Sequence, residues 1–125
     1  MKQFTILLVD DEPWFIDALA QRLSIRGYEV SVAYDGTSAL NTLSEGDFDA
    51  VLLDLQLPDL HGIQVLKKIR DVHGGLRVVI VTAHGGEKEK KECLALGAAG
   101  FLNKPARIDL IEKLLCSDCG DGHEI

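Results

Sequence analysis

Three short apolar runs, FTILLV at 4–9, VLL at 51–53 and VVIV at 78–81, constrain this chain more than any other feature. They are rich in branched aliphatic side chains and show no polar alternation, as strands do when both of their faces are buried. Such strands need helices on either side of their sheet. The segments between them supply helical spacing, in Ile16, Leu19 and Leu23, in Ile63, Leu66 and Ile69, and in Ile108, Ile111 and Leu115. Residues 28–34 (YEVSVAY) alternate instead, with Tyr28, Val30, Val32 and Tyr34 on one side and Glu29 and Ser31 on the other, which predicts an edge strand. A fifth short strand is expected over Gly100–Asn103. The helix before it, over 87–96, opens on EKEKKE, with pairs such as Glu87 and Lys91, and turns only Cys93, Leu94 and Leu96 inward. The alternation predicts an α/β class, (βα)5: a doubly wound five-stranded parallel sheet with right-handed crossovers. Strand order 2-1-3-4-5 is favoured, because it puts the alternating strand at an edge and the apolar runs inside.

At 125 residues the chain can bury roughly two-thirds of its unfolded surface, enough for one self-supporting domain. With no repeat and no linker-like composition, the expected division is one domain over 1–115 and a tail over 116–125, either disordered or the start of a linker. Twenty acidic against thirteen basic side chains give a net charge of -7. There is no basic surplus to hold a phosphate backbone, so direct nucleic-acid binding by this domain is not expected. No apolar run approaches the ~20 residues of a membrane span. The run after Lys2 stops at Asp10, Asp11 and Glu12, too soon for an export signal. Three cysteines suit a reducing compartment, and the cytoplasm is the expected location.

In a parallel sheet the residues just past the strands' C-terminal ends gather along one rim. Here they are Asp10, Asp11 and Glu12 after the first strand, Asp54 after the third, Thr82 at the end of the fourth, and Asn103, Lys104 and Pro105 after the fifth. Clustered carboxylates repel one another, and a hard divalent cation relieves that repulsion. Mg²⁺, which takes oxygen ligands and keeps several waters, fits the set, as does Mn²⁺. A carboxylate nucleophile, a metal, a lysine and a threonine hydroxyl are what phosphoryl transfer to an aspartate requires.

The motifs LLVDDE (7–12), LLDLQLPDLHG (52–62), VIVTAH (79–84) and FLNKP (101–105) resemble, in order and spacing, those of the response-regulator receiver domains of two-component signalling. The resemblance spans residues 4–115 and implies a flavodoxin-like fold like that of the chemotaxis regulators. It implies that Asp54 is the phosphoacceptor, and that Asp10 and Asp11 hold the metal, Asp11 directly, with the backbone carbonyl of Gln56 as a further ligand and Asp54 beside them. Thr82 and Lys104 would contact the phosphoryl group, Phe101 would be the aromatic switch, and the Lys104–Pro105 bond would be cis. The implied donor is a histidine kinase or histidine phosphotransfer protein. The implied reader is an effector domain or protein meeting the face made by helix 4, strand 5 and helix 5, with a phosphorylation-dependent dimer as a further possibility. Ala106 departs from the family's usual bulky apolar residue.

Plainer readings stand beside these. Asp10, Asp11 and Glu12, ahead of Pro13, also suit a helix cap. Gln56 and His84 flank the mouth of the site and are expected to shield the phosphoryl group from water. Cys116, Cys119 and His123 form either a zinc half-site or redox pair, or nothing more than a tail. The enzymatic alternative is a haloacid-dehalogenase-like phosphatase, whose second acid would stand where this chain has Glu12. The other alternative is an interaction module of the same fold that works without phosphorylation.

Overall fold

The structure, a computed structural model, describes residues 3–83 and 85–116. Along the chain run β1 (Thr5–Val9), α1 (Pro13–Ile25), β2 (Glu29–Ala33), α2 (Gly36–Glu45), β3 (Ala50–Leu53), α3 (Gly62–Val72), β4 (Arg77–Thr82), α4 (Glu87–Ala95), β5 (Gly100–Asn103) and α5 (Ile108–Leu115). The strands form one sheet in the order β2-β1-β3-β4-β5, every neighbouring pair parallel, as the alternation predicts. Lys104–Pro105 is a cis peptide.

The continuous apolar runs divide their side chains between two cores. Leu7, Val9, Val51, Leu53, Val78 and Ile80 pack with α2, α3 and α4, through residues such as Leu43, Leu66, Ile69 and Cys93. Their neighbours Ile6, Leu8, Ala50, Leu52, Val79 and Val81 pack on the opposite face with Ile16, Leu19 and Leu23 of α1 and Ile111 and Leu115 of α5. Each such aliphatic side chain stabilises the fold by about 1.5–3 kcal/mol on full burial, well above any helix propensity in play. Packing therefore decides where the helices sit.

Two local expectations are corrected. Leu94 faces outward, 44% exposed, because with Cys93 turned into the core the next residue, about 100° further round, points to solvent. β2 lies at the edge of the sheet as its alternation predicts, with Glu29 exposed and Ala33 buried on one side, and Tyr34 lies beyond the strand with its hydroxyl on Asp17. No acidic side chain caps α1. The Glu12 carbonyl receives the N–H groups of Phe15 and Ile16, while its carboxylate is drawn away to Lys104.

α4 is the least anchored helix, burying Cys93 alone, whereas α3 buries Val65, Leu66 and Ile69. Its start is held by the Glu89 carboxylate accepting from the Gly86 N–H, and an exposed Lys67–Glu92 pair at 3.9 Å adds little. Elements with so few buried contacts lie at the low end of local stability. Cys116 ends α5 within the second core, and Cys119 and His123 lie outside the described residues.

Candidate functional site

The backbone ladder of the sheet continues one residue past its strands. Asp10 N–H donates to Ala33 O at 3.1 Å, Asp54 N–H to Val9 O at 3.0 Å and Lys104 N–H to Thr82 O at 2.9 Å. Three polar residues at the rim thus have backbones held as firmly as those of the strands. Asp10, Asp54 and Thr82 are also the buried polar side chains of the described core. Burying a polar group costs free energy unless it is paired, so their placement calls for a partner.

Lys104 is part of the answer. Its Nζ, on a side chain only 9% exposed, lies 2.7 Å from Glu12 Oε1, 2.8 Å from Asp10 Oδ2 and 3.3 Å from Asp54 Oδ2. The Glu12 and Asp54 contacts are hydrogen bonds, whereas the approach to Asp10 is an ion pair off the hydrogen-bond angle. The other carboxylate oxygens accept from the backbone, Asp10 Oδ1 from Glu12 N–H at 2.9 Å and Asp54 Oδ1 from Gln56 N–H at 3.1 Å. Burial pushes the Asp10 carboxyl above its ordinary value, with the Asp54 charge acting the same way and Lys104 opposing. For Lys104, burial pulls downward, but the contacts with Asp10 and Glu12 and the Asp54 charge outweigh it, and its pKa is raised.

Carboxylate oxygens of Asp10, Asp11 and Asp54 lie within 4.8 Å of one another, a set able to hold a metal ion. All the donors are oxygens, Asp10 Oδ2 has no hydrogen bond, and Asp11 is exposed, which suits a hard cation that keeps water. Thr82 Oγ1 is buried without a hydrogen-bond partner. Its methyl group and the Phe101 ring converge on Gly85, where an added Cβ would stand 2.7 Å from Thr82 Cγ2 and 2.4 Å from Phe101 Cζ. Asp10, Asp11, Asp54 and Lys104 thus surround one site, with Thr82 joined to it through its carbonyl on the Lys104 N–H and the Phe101 ring meeting the Thr82 methyl group at Gly85. The Gln56 side chain is exposed, and His84 lies outside the described residues.

Two features of the β3–α3 loop were not read from the sequence. His61 caps α3, its Nδ1 accepting from Ile63 N–H at 3.1 Å while Gln64 Oε1 accepts from His61 N–H. Asp59 caps a different helix: Oδ1 accepts from Gly36 N–H at 2.8 Å, and Oδ2 from Thr37 N–H at 2.9 Å and the Thr37 hydroxyl at 2.7 Å. The Thr37 hydroxyl and the Gly36 and Thr37 amides pull its carboxyl down to about 2. Because that lies below the ordinary 3.8, the stability Asp59 contributes is present above the ordinary value and is lost as pH falls towards about 2. Asp59→Asn is therefore expected to lower the urea midpoint at neutral pH, with the gap from wild type closing near about pH 2. A gap unchanged across that range would show that the charge on Asp59 does not matter.

A doubly wound parallel sheet with acids, a lysine and a threonine at its C-terminal edge, and no glycine-rich phosphate loop after β1, is a frame for metal and phosphoryl chemistry rather than for dinucleotide binding. The response regulator receiver domain family matches residues 6–115, and the chain belongs to that family. The sensor histidine kinase RcsC of Escherichia coli (strain K12) is 39% identical over 110 residues, covering 88% of this chain and 12% of the kinase. The chain thus spans about an eighth of that relative's length. Among solved structures, a CheY-like receiver domain protein of Methanospirillum hungatei JF-1 superposes with a TM-score of 0.88 at 30% identity, covering 98% of both chains. A Burkholderia pseudomallei response regulator, described with a phosphorylated aspartic acid, a calcium ion and citrate, gives 0.86 at 25% identity over 96% of this chain and 71% of that one. The chain is thus a signalling receiver domain, and neither the dehalogenase-like phosphatase nor the phosphorylation-independent module gains support.

Proposed function

We propose that Asp54 accepts a phosphoryl group from a phosphohistidine of a histidine kinase or phosphotransfer protein, and that the domain passes the change to an effector. The observation that carries this reading is Asp54 itself: a buried carboxylate, fixed through Oδ1 by Gln56 N–H, with Oδ2 facing Lys104 and two further acids beside it. Ending an apolar strand, it has no packing reason to be an acid. In the transfer the Asp54 oxygen forms a bond to phosphorus, the phosphorus–nitrogen bond of the donor breaks, and the imidazole leaves with a proton. Asp10, Asp11, Asp54 and the carbonyl of Gln56 would hold Mg²⁺ or Mn²⁺, which when bound would supply positive charge for the phosphoryl oxygens. Lys104 Nζ exchanges carboxylate contacts for a phosphoryl oxygen, and the unpartnered Thr82 hydroxyl donates to another.

Movement of Thr82 toward the phosphoryl group frees space for the Phe101 ring and alters the face of α4, β5 and α5, where an effector or a second copy of the chain docks. The weak anchoring of α4 suits that role, since such a switch needs only a few kcal/mol between two packings. Gln56 and His84 shield the bond to phosphorus from water, and the cytoplasm supplies the donor. The Burkholderia structure's phosphorylated aspartic acid and calcium ion are in keeping with this chemistry on the shared fold. Incubation with acetyl phosphate and Mg²⁺ is expected to add one phosphoryl mass to the intact protein, and none to Asp54→Asn. Equal labelling of the two proteins would refute the assignment.

A further inference from the structure

Phe15 is the third residue of α1 and belongs to none of the motifs above, yet its ring lies against the lysine of the site, with Lys104 Nζ 4.6 Å from the ring centroid. That is well inside the distance at which an aromatic face attracts a cation, and shielding from water strengthens the attraction. Every other neighbour of the ammonium recorded above is an acid. Asp10 and Asp54 belong to the cluster that can take a metal ion, and once their charge is engaged by a cation their pull on Lys104 falls. The pull of the ring does not fall, because it comes from a fixed quadrupole that no cation at the acids neutralises.

We propose that Phe15 is a positioning residue for phosphoryl transfer: its ring holds the Lys104 ammonium facing Asp54 while the acids change partners. The inference rests on the reading of Lys104 as a phosphoryl contact. Phe15 also packs on the second core, so its structural part has to be separated from its electrostatic one. Leucine keeps an apolar side chain of similar reach without a quadrupole, and tyrosine keeps the ring. Trp14, the chain's single tryptophan, lies 72% exposed with its ring edge-on to Phe15 at 5.9 Å, and its emission reports whether the packing around position 15 survives substitution.

The test compares wild type, Phe15→Leu, Phe15→Tyr, Lys104→Ala and the Phe15→Leu/Lys104→Ala double variant. Phosphoryl uptake from acetyl phosphate at saturating Mg²⁺ is followed by intact mass, and beryllium trifluoride binding, a phosphoryl mimic, by calorimetry. Phe15→Leu is expected to lower the maximal uptake rate and weaken beryllium trifluoride binding about five- to tenfold, with wild-type melting and Trp14 emission. Phe15→Tyr should stay within about twofold of wild type, and Phe15→Leu should add nothing in the Lys104→Ala background. Wild-type uptake and binding in Phe15→Leu, or the same fold-loss with and without Lys104, would overturn the inference. Wild-type uptake in Lys104→Ala would instead overturn the reading of Lys104 on which it rests.

Discussion

Gly62→Ala is expected to destabilise the domain by about 2–4 kcal/mol and to abolish most phosphoryl uptake, the largest effect of any glycine-to-alanine change among the described residues. Gly62 opens α3, and its N–H donates to Leu55 O at 2.8 Å. A Cβ there would stand 2.4 Å from Leu55 Cα and 2.5 Å from Asp54 O. Both are backbone atoms, so no side chain can rotate out of the way. The better helix propensity of alanine returns at most about 1 kcal/mol, too little to offset the displacement. Whatever shift relieves the clash moves the peptide that carries Asp54. Gly75→Ala, with nothing within 4 Å of its added Cβ, is the matched control and should leave both properties near wild type. Urea unfolding and acetyl phosphate labelling of the two variants decide the matter, and a Gly62→Ala protein as stable and as reactive as Gly75→Ala would refute the argument.

Asp11→Asn should be the most damaging substitution for cation binding, raising the Mg²⁺ dissociation constant at least about tenfold, or roughly 1.4 kcal/mol. The two neighbouring acids differ in what they already hold. Asp10 is buried, with one oxygen on Glu12 N–H and the other against Lys104, whereas Asp11 is exposed and has no such contact among the described residues. Asp11 is therefore free to give a full ligand, and Asp10 must share its charge with the lysine. Without metal the same variant should melt slightly higher than wild type, because one charge of a repelling group has gone. Calorimetric Mg²⁺ titrations of Asp11→Asn and Asp10→Asn compare the roles directly, and greater loss in Asp10→Asn would reverse them.

The features legible in the sequence were those that repeat. The apolar runs and the helical spacing of Leu19 and Leu23 or Leu66 and Ile69 predict sheet order and both cores, because burial acts on every residue of such a pattern. Asp10, Asp54 and Lys104 were legible as a rim set because strand ends in a parallel sheet share a direction. α2 was implied only by its place between β2 and β3, although Asp35, whose side chain accepts from Ser38 N–H, is a start signal that a search for caps would have found. Leu94 was misread because the helical angle, not hydrophobicity, decides which of two adjacent residues turns inward. Asp59 and Phe15 left no local trace. One caps a helix some twenty residues earlier and the other meets a lysine near the far end of the chain, and such meetings exist only once the sheet has brought the loops together.

The alternation of side chains that splits the core in two also splits the site. Counting on from the strands, Asp10, Asp54 and Lys104 have the parity of Leu8, Leu52 and Leu102, on the side of the sheet covered by α1 and α5, where Phe15 waits. Thr82 has the parity of Ile80 and shares the opposite side with Phe101, beneath α3 and α4. The sheet is therefore a partition one backbone layer thick, with the acids and the lysine counted to one surface and Thr82 and Phe101 to the other. On the proposed function, a phosphoryl group at that edge would meet side chains from both surfaces at once. A slip of one residue in a single strand would carry that strand's side chains to the opposite surface, which ties the register of the sheet to the surface on which each of these groups stands.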